Sequence, residues 1–165
     1  MRLQRFVIVH LVHLMITLIG AGLVPAGVHS AAAEESSSLR LPNGRAVTLE
    51  VASTPNQRNL GLMFRPSLAE DHGMLFLFPT PDRYAIWMKN MLIPIDIVWL
   101  DEHKQIIHIE TNVPPCRIEP CLIYQPETPA LYVIELAVGT VTQAGLQPGA
   151  TLQLTTNQSG STASP

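Results

Sequence analysis

The chain has 165 residues, of which 47% are hydrophobic and 14% are charged, with 10 basic residues against 13 acidic ones. The length corresponds to a single domain with extensions. The composition excludes a disordered chain or a nucleic-acid-binding arm over most of the length, because both classes are rich in charge and poor in apolar residues.

The first 33 residues have the pattern of a secretory signal peptide. Arg2 and Arg5 precede an apolar run at residues 6–19, and three alanines at residues 31–33 offer a cleavage site. The run is shorter than the ~20 residues of a spanning helix, although residues 20–28 could extend it into an uncleaved anchor. We expect an exported protein, periplasmic or extracellular, that is not anchored in a membrane after the signal peptide is cleaved. Its remaining charges, 8 basic and 13 acidic, give no reason to hold nucleic acid.

The exported part is expected to begin with a polar linker at residues 34–38, followed by short strands. A Pro-Asn-Gly turn at residues 42–44 follows the first apolar run. Val47, Leu49 and Val51 then alternate with more polar residues, which predicts a half-buried strand.

A short helix is expected next. Thr54 is a capping residue, Pro55 suits the first helical position, and Gln57 is placed to complete a capping box. One face of this helix is expected to carry apolar residues, namely Leu60, Met63 and Phe64.

Strands dominate the rest of the chain. Apolar runs predict them at residues 74–78, 85–88, 93–100, 105–113, 130–137 and 151–154. One helical turn is expected at residues 140–145 and a disordered tail at residues 155–165. Six or more short strands with one or two short helices indicate an α+β, β-rich domain over residues 39–154, built as a small compact barrel-like or half-closed sheet.

The two cysteines, Cys116 and Cys121, lie in a proline-rich segment. In an oxidising compartment an even number of cysteines favours a disulfide, and a loop this short should stabilise the fold by ~2 kcal/mol. The spacing differs from the C-x-x-C of redox pairs, and no second ligand pair stands nearby for zinc. We therefore expect a structural disulfide and neither a metal centre nor a cofactor.

Two carboxylates occupy apolar strands. Asp96 shares a face with Val98 and Leu100, while the opposite face of the same strand carries Ile95, Ile97 and Trp99. Glu135 shares a face with Leu131 and Val133. Buried carboxylates need a cation or several hydrogen-bond donors. Arg65 and Lys89 are the candidate cations, so the four charges predict either a structural network or a polar pocket.

Four segments carry a recognisable pattern: residues 61–65 (GLMFR), 73–78 (GMLFLF), 87–97 (WMKNMLIPIDI) and 132–136 (YVIEL). From about residue 47 to residue 154 the chain resembles domain of unknown function 192, an uncharacterised prokaryotic family that often carries an export signal. The resemblance implies a small β-rich domain and no established activity, cofactor or partner. The family's polar and aromatic signature falls on Arg65, Trp87, Lys89, Asn90, Pro94, Asp96 and Glu135. The chain departs from it at Ile86, Met91 and Ala150.

The functional hypothesis is non-catalytic binding of a small ligand or an envelope protein. Arg65 and Lys89 would take an anionic group of the ligand, Asp96 and Glu135 would hold these cations, and Trp87 would offer a flat apolar wall, with Asn90 beside it. One alternative is a small hydrolase that uses Asp96 or Glu135 as general base. The other is a purely structural or interaction domain.

Overall fold

The structure, a computed structural model, describes residues 36–157; the predicted leader at residues 1–33 lies outside the described residues. Nine strands and two helices follow one another in this part of the chain: β1 (Ser36–Arg40), β2 (Ala46–Ala52), α1 (Pro55–Leu60), β3 (His72–Asp82), β4 (Ile86–Trp87), β5 (Ile95–Leu100), β6 (Ile106–Val113), β7 (Ile123–Tyr124), β8 (Ala130–Ala137), α2 (Thr140–Ala144) and β9 (Gln153–Asn157). None of the helices within residues 36–157 is long and apolar enough to cross a membrane.

Seven of the strands form one curled, half-barrel sheet in the order β6-β5-β8-β3-β2-β1-β9. Every pairing in it is antiparallel except that of β2 with β3, which α1 connects as a crossover. The short strands β4 and β7 pair separately. The predicted β-rich, half-closed sheet with short helices is therefore confirmed.

Both ends of the predicted domain are longer than expected. The predicted linker at residues 34–38 overlaps β1, and the predicted tail at residues 155–165 overlaps β9. The serines of β1 pair with β2 on one side and with β9 on the other. Serine and threonine gave no apolar signal there, yet pairing with neighbouring strands holds them in the sheet, on both sides for β1 and on one side for β9.

The core has two parts, one on each face of the sheet. Val98 and Leu100 of β5 belong to the first part, which α2 covers, and Ile97 and Trp99 belong to the second. All six residues of β5 are buried, and the predicted division of its two faces is confirmed. Because β5 is covered on both faces, Asp96 is completely buried.

The first helix is shorter than its apolar pattern suggested. Its predicted capping box is present: Gln57 receives a hydrogen bond from Thr54 and returns one through its backbone N–H. However, the helix ends at Gly61, so Met63 and Phe64 lie in the following turn and do not extend the face of Leu60. Gly61 has a φ of +49° and lies against Phe76 of β3, where a β-carbon would stand 3.3 Å from Cζ.

Candidate functional site

A cavity of about 470 Å³ lies between α1, β3, β4 and β7, on the second face of the sheet. Its lining is mostly apolar. The rings of Phe76, Phe78 and Trp87 and the thioethers of Met63 and Met91 contribute to the wall. The remaining lining residues are Pro55, Arg58, Asn59, Leu60, Gly61, Ala85, Ile86, Ile123 and Glu135.

Glu135 is the buried polar group of this cavity. It lies in the middle of β8, opposite Met74 of β3 and Ile97 of β5, and is 4% exposed. The backbone N–H of Leu62 donates to its carboxyl. The second oxygen, Oε2, is buried without a hydrogen-bond partner among the described residues.

The environment of Glu135 opposes its ionisation. Burial raises the pKa of this carboxyl to about 8, against the opposing effects of the Arg65 charge and the Leu62 hydrogen bond. At neutral pH Glu135 is therefore mainly an uncharged acid. Since Oε2 is the oxygen without a partner, we place the acidic proton on Oε2. The resulting O–H group is a hydrogen-bond donor that has no acceptor among the described residues.

Glycines allow the chain to approach this carboxyl closely. A β-carbon on Gly61 would stand 3.7 Å from Oε2 of Glu135. One on Gly73 would stand 2.5 Å from the backbone oxygen of Glu135, which is closer than real β-carbons come. The predicted family segments that begin at these glycines thus shape the surroundings of Glu135 directly.

Asp96 lies on the opposite face of the sheet and has a different environment. Its Oδ1 accepts from the backbone N–H of Asn112, and its Oδ2 accepts from that of Val141, each at 2.9 Å. Val141 is in the first turn of α2, whose N-cap residue Gly139 has no side chain to cap it. Asp96 supplies that cap from β5. The expectation that Arg65 or Lys89 satisfies Asp96 is wrong, because backbone donors do.

The two predicted cations have acidic partners of their own. Arg65 makes a two-pronged ion pair with Glu50 of β2, at 2.5 and 2.6 Å, and this hydrogen bonding lowers the pKa of Glu50. Lys89 Nζ lies 2.9 Å from Oε1 of Glu119 and 5.6 Å from the ring centre of Trp87. The predicted four charges therefore do not form one cluster. Sequence reasoning missed Glu50, whose position in an alternating strand gave only the signal of an exposed residue.

Of the predicted site residues Trp87 and Asn90, Trp87 lines the cavity and Asn90 does not. Trp87 is 51% exposed and lines the cavity, as the predicted flat wall would. Asn90 is exposed and does not line it. Its backbone oxygen accepts from the N–H of Phe64 and its side chain contacts the sulfur of Met63, so it fixes the turn that follows α1.

The predicted disulfide between Cys116 and Cys121 is present. The N–H of Cys116 donates to the oxygen of Met88, and beyond the disulfide loop Ile123 pairs with Trp87 in the short sheet of β4 and β7. The loop is thus attached to one wall of the cavity. Within residues 36–157 no three His, Cys, Asp or Glu side chains stand close enough to hold a metal ion.

The chain resembles several known proteins. The family model DUF192, described as "Uncharacterized ACR", matches residues 39–154. A UPF0127 protein of Thermococcus gammatolerans is 31% identical over 103 residues, which cover 61% of this chain and 62% of that protein. A UPF0127 protein of Pyrococcus furiosus is 24% identical over 119 residues, covering 70% of this chain and 95% of that protein.

Two crystal structures resemble the fold. A Sinorhizobium meliloti protein, provisionally described as a transcription regulator, is 37% identical with a TM-score of 0.64, covering 75% of this chain and 94% of that one. A Novosphingobium aromaticivorans protein of unknown function is 28% identical with a TM-score of 0.62, covering 72% of this chain and 83% of that one. The chain spans about three fifths of the length of the Thermococcus gammatolerans relative.

Proposed function

The chain belongs to the DUF192 family, for which no activity is established, and we propose that it binds a small, largely apolar molecule in the cavity beside Glu135 without catalysing a reaction. The cavity volume of about 470 Å³ is within the range of small-molecule sites. Such sites are mostly apolar with few well-placed polar groups, which describes this lining.

The observation that carries the proposal is that Glu135 lines the cavity while its buried Oε2 has no hydrogen-bond partner among the described residues. Buried polar atoms are nearly always hydrogen-bonded, because leaving one unpaired costs about 1–3 kcal/mol. A purely structural carboxyl would be satisfied from within the fold, as Asp96 is. A ligand that enters the cavity can supply the missing partner to Glu135.

The geometry favours binding over hydrolysis. The lining residues of the cavity include no Ser, Thr, Cys or His that would act as nucleophile or base. Glu135 is itself a poor general base at neutral pH, because burial raises its pKa to about 8. An anionic ligand group is also less favoured than the sequence suggested, since Arg65 and Lys89 are already paired with Glu50 and Glu119.

We also propose that the protein acts outside the cytoplasm, in the periplasm or beyond. The leader pattern of residues 1–33 supports this, and so does the Cys116–Cys121 disulfide, because such bonds persist in oxidising compartments. Mass spectrometry of protein from the native host should find a new terminus at or near Glu34. An intact Met1 in the exported pool would contradict the proposal.

Cavity binding is tested with N-phenyl-1-naphthylamine, an uncharged probe whose fluorescence rises in apolar surroundings. The probe should bind the protein at one saturable site. Ala85→Trp, a substitution of an exposed residue in the lining, should fill the entrance and abolish the fluorescence rise. Ala69→Trp is the matched control, because Ala69 is exposed and lies outside the lining. Equal binding by both variants, or none by the parent, would refute the cavity as the site.

A further inference from the structure

We infer that the group a ligand presents to Glu135 is an uncharged hydrogen-bond acceptor, such as a ketone, ester or ether oxygen, which takes a hydrogen bond from the Glu135 carboxyl. This inference rests on the proposed binding cavity and specifies the chemistry of its ligand.

The geometry leaves the Glu135 carboxyl with one free O–H donor, which one acceptor atom of a ligand can satisfy. The Leu62 N–H engages the Glu135 carboxyl, and Oε2 of this lining residue remains buried without a hydrogen-bond partner among the described residues. A protonated carboxyl has a single O–H, which the Leu62 contact cannot use because an N–H is itself a donor. An oxygen acceptor from the ligand satisfies this O–H and adds no polar hydrogen that needs a partner of its own.

A cationic ligand fits this site less well. A primary ammonium brings three N–H donors, whereas the only side chains in the lining that can accept are Glu135 and the exposed Asn59. The positive charge of Arg65 also acts on Glu135 and would oppose a second cation there. The site therefore lacks the several acceptors by which proteins usually hold an amine.

The charged surroundings of Glu135 are few. Arg65, which follows α1, is paired with Glu50 of β2, and Arg58 of α1 lines the cavity. The NH1 of Arg58 already donates to the backbone oxygens of Ser53 and Leu77. Beside Glu135 on this face, β3 presents Met74 and Phe76 and β5 presents Ile95 and Ile97, while Asp96 lies on the other face. His72, at the start of β3, contributes to lowering the pKa of Glu50, whereas the charge that acts on Glu135 is that of Arg65. Titration of Glu135 should therefore dominate the pH dependence of binding.

The test compares three probes of similar size: 2-acetylnaphthalene, 2-ethylnaphthalene and 1-(2-naphthyl)ethylamine. At pH 6 the ketone should bind about fivefold more tightly than the hydrocarbon, the value of one ordinary hydrogen bond. This advantage should disappear as the pH rises through about 8 and Glu135 loses its proton. The amine should bind no more tightly than the hydrocarbon at either pH.

Two variants separate the hydrogen bond from simple packing. Glu135→Gln keeps the shape and an N–H donor, so the ketone preference should persist but no longer change with pH. Glu135→Leu should bind the hydrocarbon and lose the ketone preference. Thermal melts establish that each variant is folded.

The outcomes distinguish this inference from the proposed function. If the hydrocarbon binds and the ketone binds no better, Glu135 does not anchor the ligand and the inference fails while the cavity function stands. If the amine binds most tightly, and more tightly at higher pH, the anchored group is a cation and the inference is overturned. If none of the three probes binds, the proposed function itself fails.

Discussion

Asp96 and Glu135 are both buried carboxylates on neighbouring strands, yet they lie on opposite faces of the sheet and have opposite environments. Both oxygens of Asp96 accept backbone N–H groups, from Asn112 and Val141. Glu135, which lines a cavity, receives one from Leu62, and its buried Oε2 has no hydrogen-bond partner among the described residues. Burial alone therefore does not say what a buried acid does. The difference between the structural role of Asp96 and the proposed ligand-binding role of Glu135 lies in which of their oxygens the fold has already satisfied.

Replacing Asp96 should cause the largest loss of stability. Asp96→Ala removes the acceptor of the buried Val141 N–H and of the part-buried Asn112 N–H, and with it the cap of α2, so the free energy of unfolding should fall by about 3–5 kcal/mol. Asp96→Asn retains one acceptor oxygen and should lose less. Urea denaturation measures both variants.

The exposed acid Glu102 supplies the control for this prediction. Glu102→Ala, in the turn before β6, should change the free energy of unfolding by less than about 0.5 kcal/mol. If Asp96→Ala unfolds at the same urea concentration as Glu102→Ala, the two backbone hydrogen bonds do not hold α2 and the structural role of Asp96 is wrong.

The burial of both acids could be predicted from sequence, whereas their partners could not. Side chains alternate between the two faces of a strand, so the neighbours of Asp96 in β5 and of Glu135 in β8 show that each carboxyl lies on an apolar face. This signal is local in the sequence. The donors to Asp96 lie 16 and 45 residues away and depend on the chain reversal at Gly139. An unpaired charge in the sequence suggested an opposite charge as partner, but backbone amides carry no sequence signal.

The cavity was equally difficult to predict from the sequence. Trp87 and Glu135 were found because a large ring and a carboxyl stand out in apolar runs. Ile123, in the two-residue strand β7, was missed, since so short a strand has no periodicity. The sequence also predicted β1 and β9 too short, for a related reason. Their serines and threonines form strands only because neighbouring strands pair with them.

Glu135→Gln should reveal the cost of keeping this acid buried. The folded pKa of about 8 exceeds the ordinary value of 4.5, so between these values the folded state holds a proton that the unfolded state has released. The stability of the parent should therefore fall as pH rises from 4.5 to 8, by up to about 1.4 kcal/mol per pH unit from this group. Glu135→Gln has no such term and should overtake the parent in stability as pH rises.

Glu127→Gln is the matched control, because Glu127 is exposed and lies outside the cavity. Chemical denaturation at pH 5, 6, 7 and 8 should give this control the same pH slope as the parent. A Glu135→Gln curve that runs parallel to the parent at all four values would mean that the folded pKa of Glu135 is not raised.

Removal of the disulfide sharpens the comparison between the two faces. Cys116→Ser combined with Cys121→Ser should lower the free energy of unfolding by about 1–3 kcal/mol. The effect should be local, because the loop is attached to the β4 and β7 wall of the cavity through the backbone of Met88 and through Lys89–Glu119. Hydrogen exchange should show faster amides at Trp87 and Ile123, with Val141 on the Asp96 face unchanged. Equal acceleration at Val141 would contradict this local role.

Trp87→Ala should have the smallest effect on stability and a clear effect on binding. The ring of Trp87 is 51% exposed, so its removal creates no closed void and should cost less than about 1 kcal/mol in the free energy of unfolding. Its loss removes an aromatic face from the cavity wall, and affinity for 2-acetylnaphthalene should fall about fivefold to tenfold. Thermal melts and a probe titration on the same sample measure the two effects.

Trp99 provides the matched control, because it is fully buried and its indole N–H donates to the backbone oxygen of Tyr84. Trp99→Ala should destabilise by about 3–5 kcal/mol through the cavity it leaves. If Trp87→Ala melts as early as Trp99→Ala, the Trp87 ring holds the fold together and is not a ligand-binding wall. A Trp87→Ala variant that melts like the parent and binds the ketone weakly would instead assign the Trp87 ring to ligand binding, whereas Trp99, in the core of the same face, holds the fold.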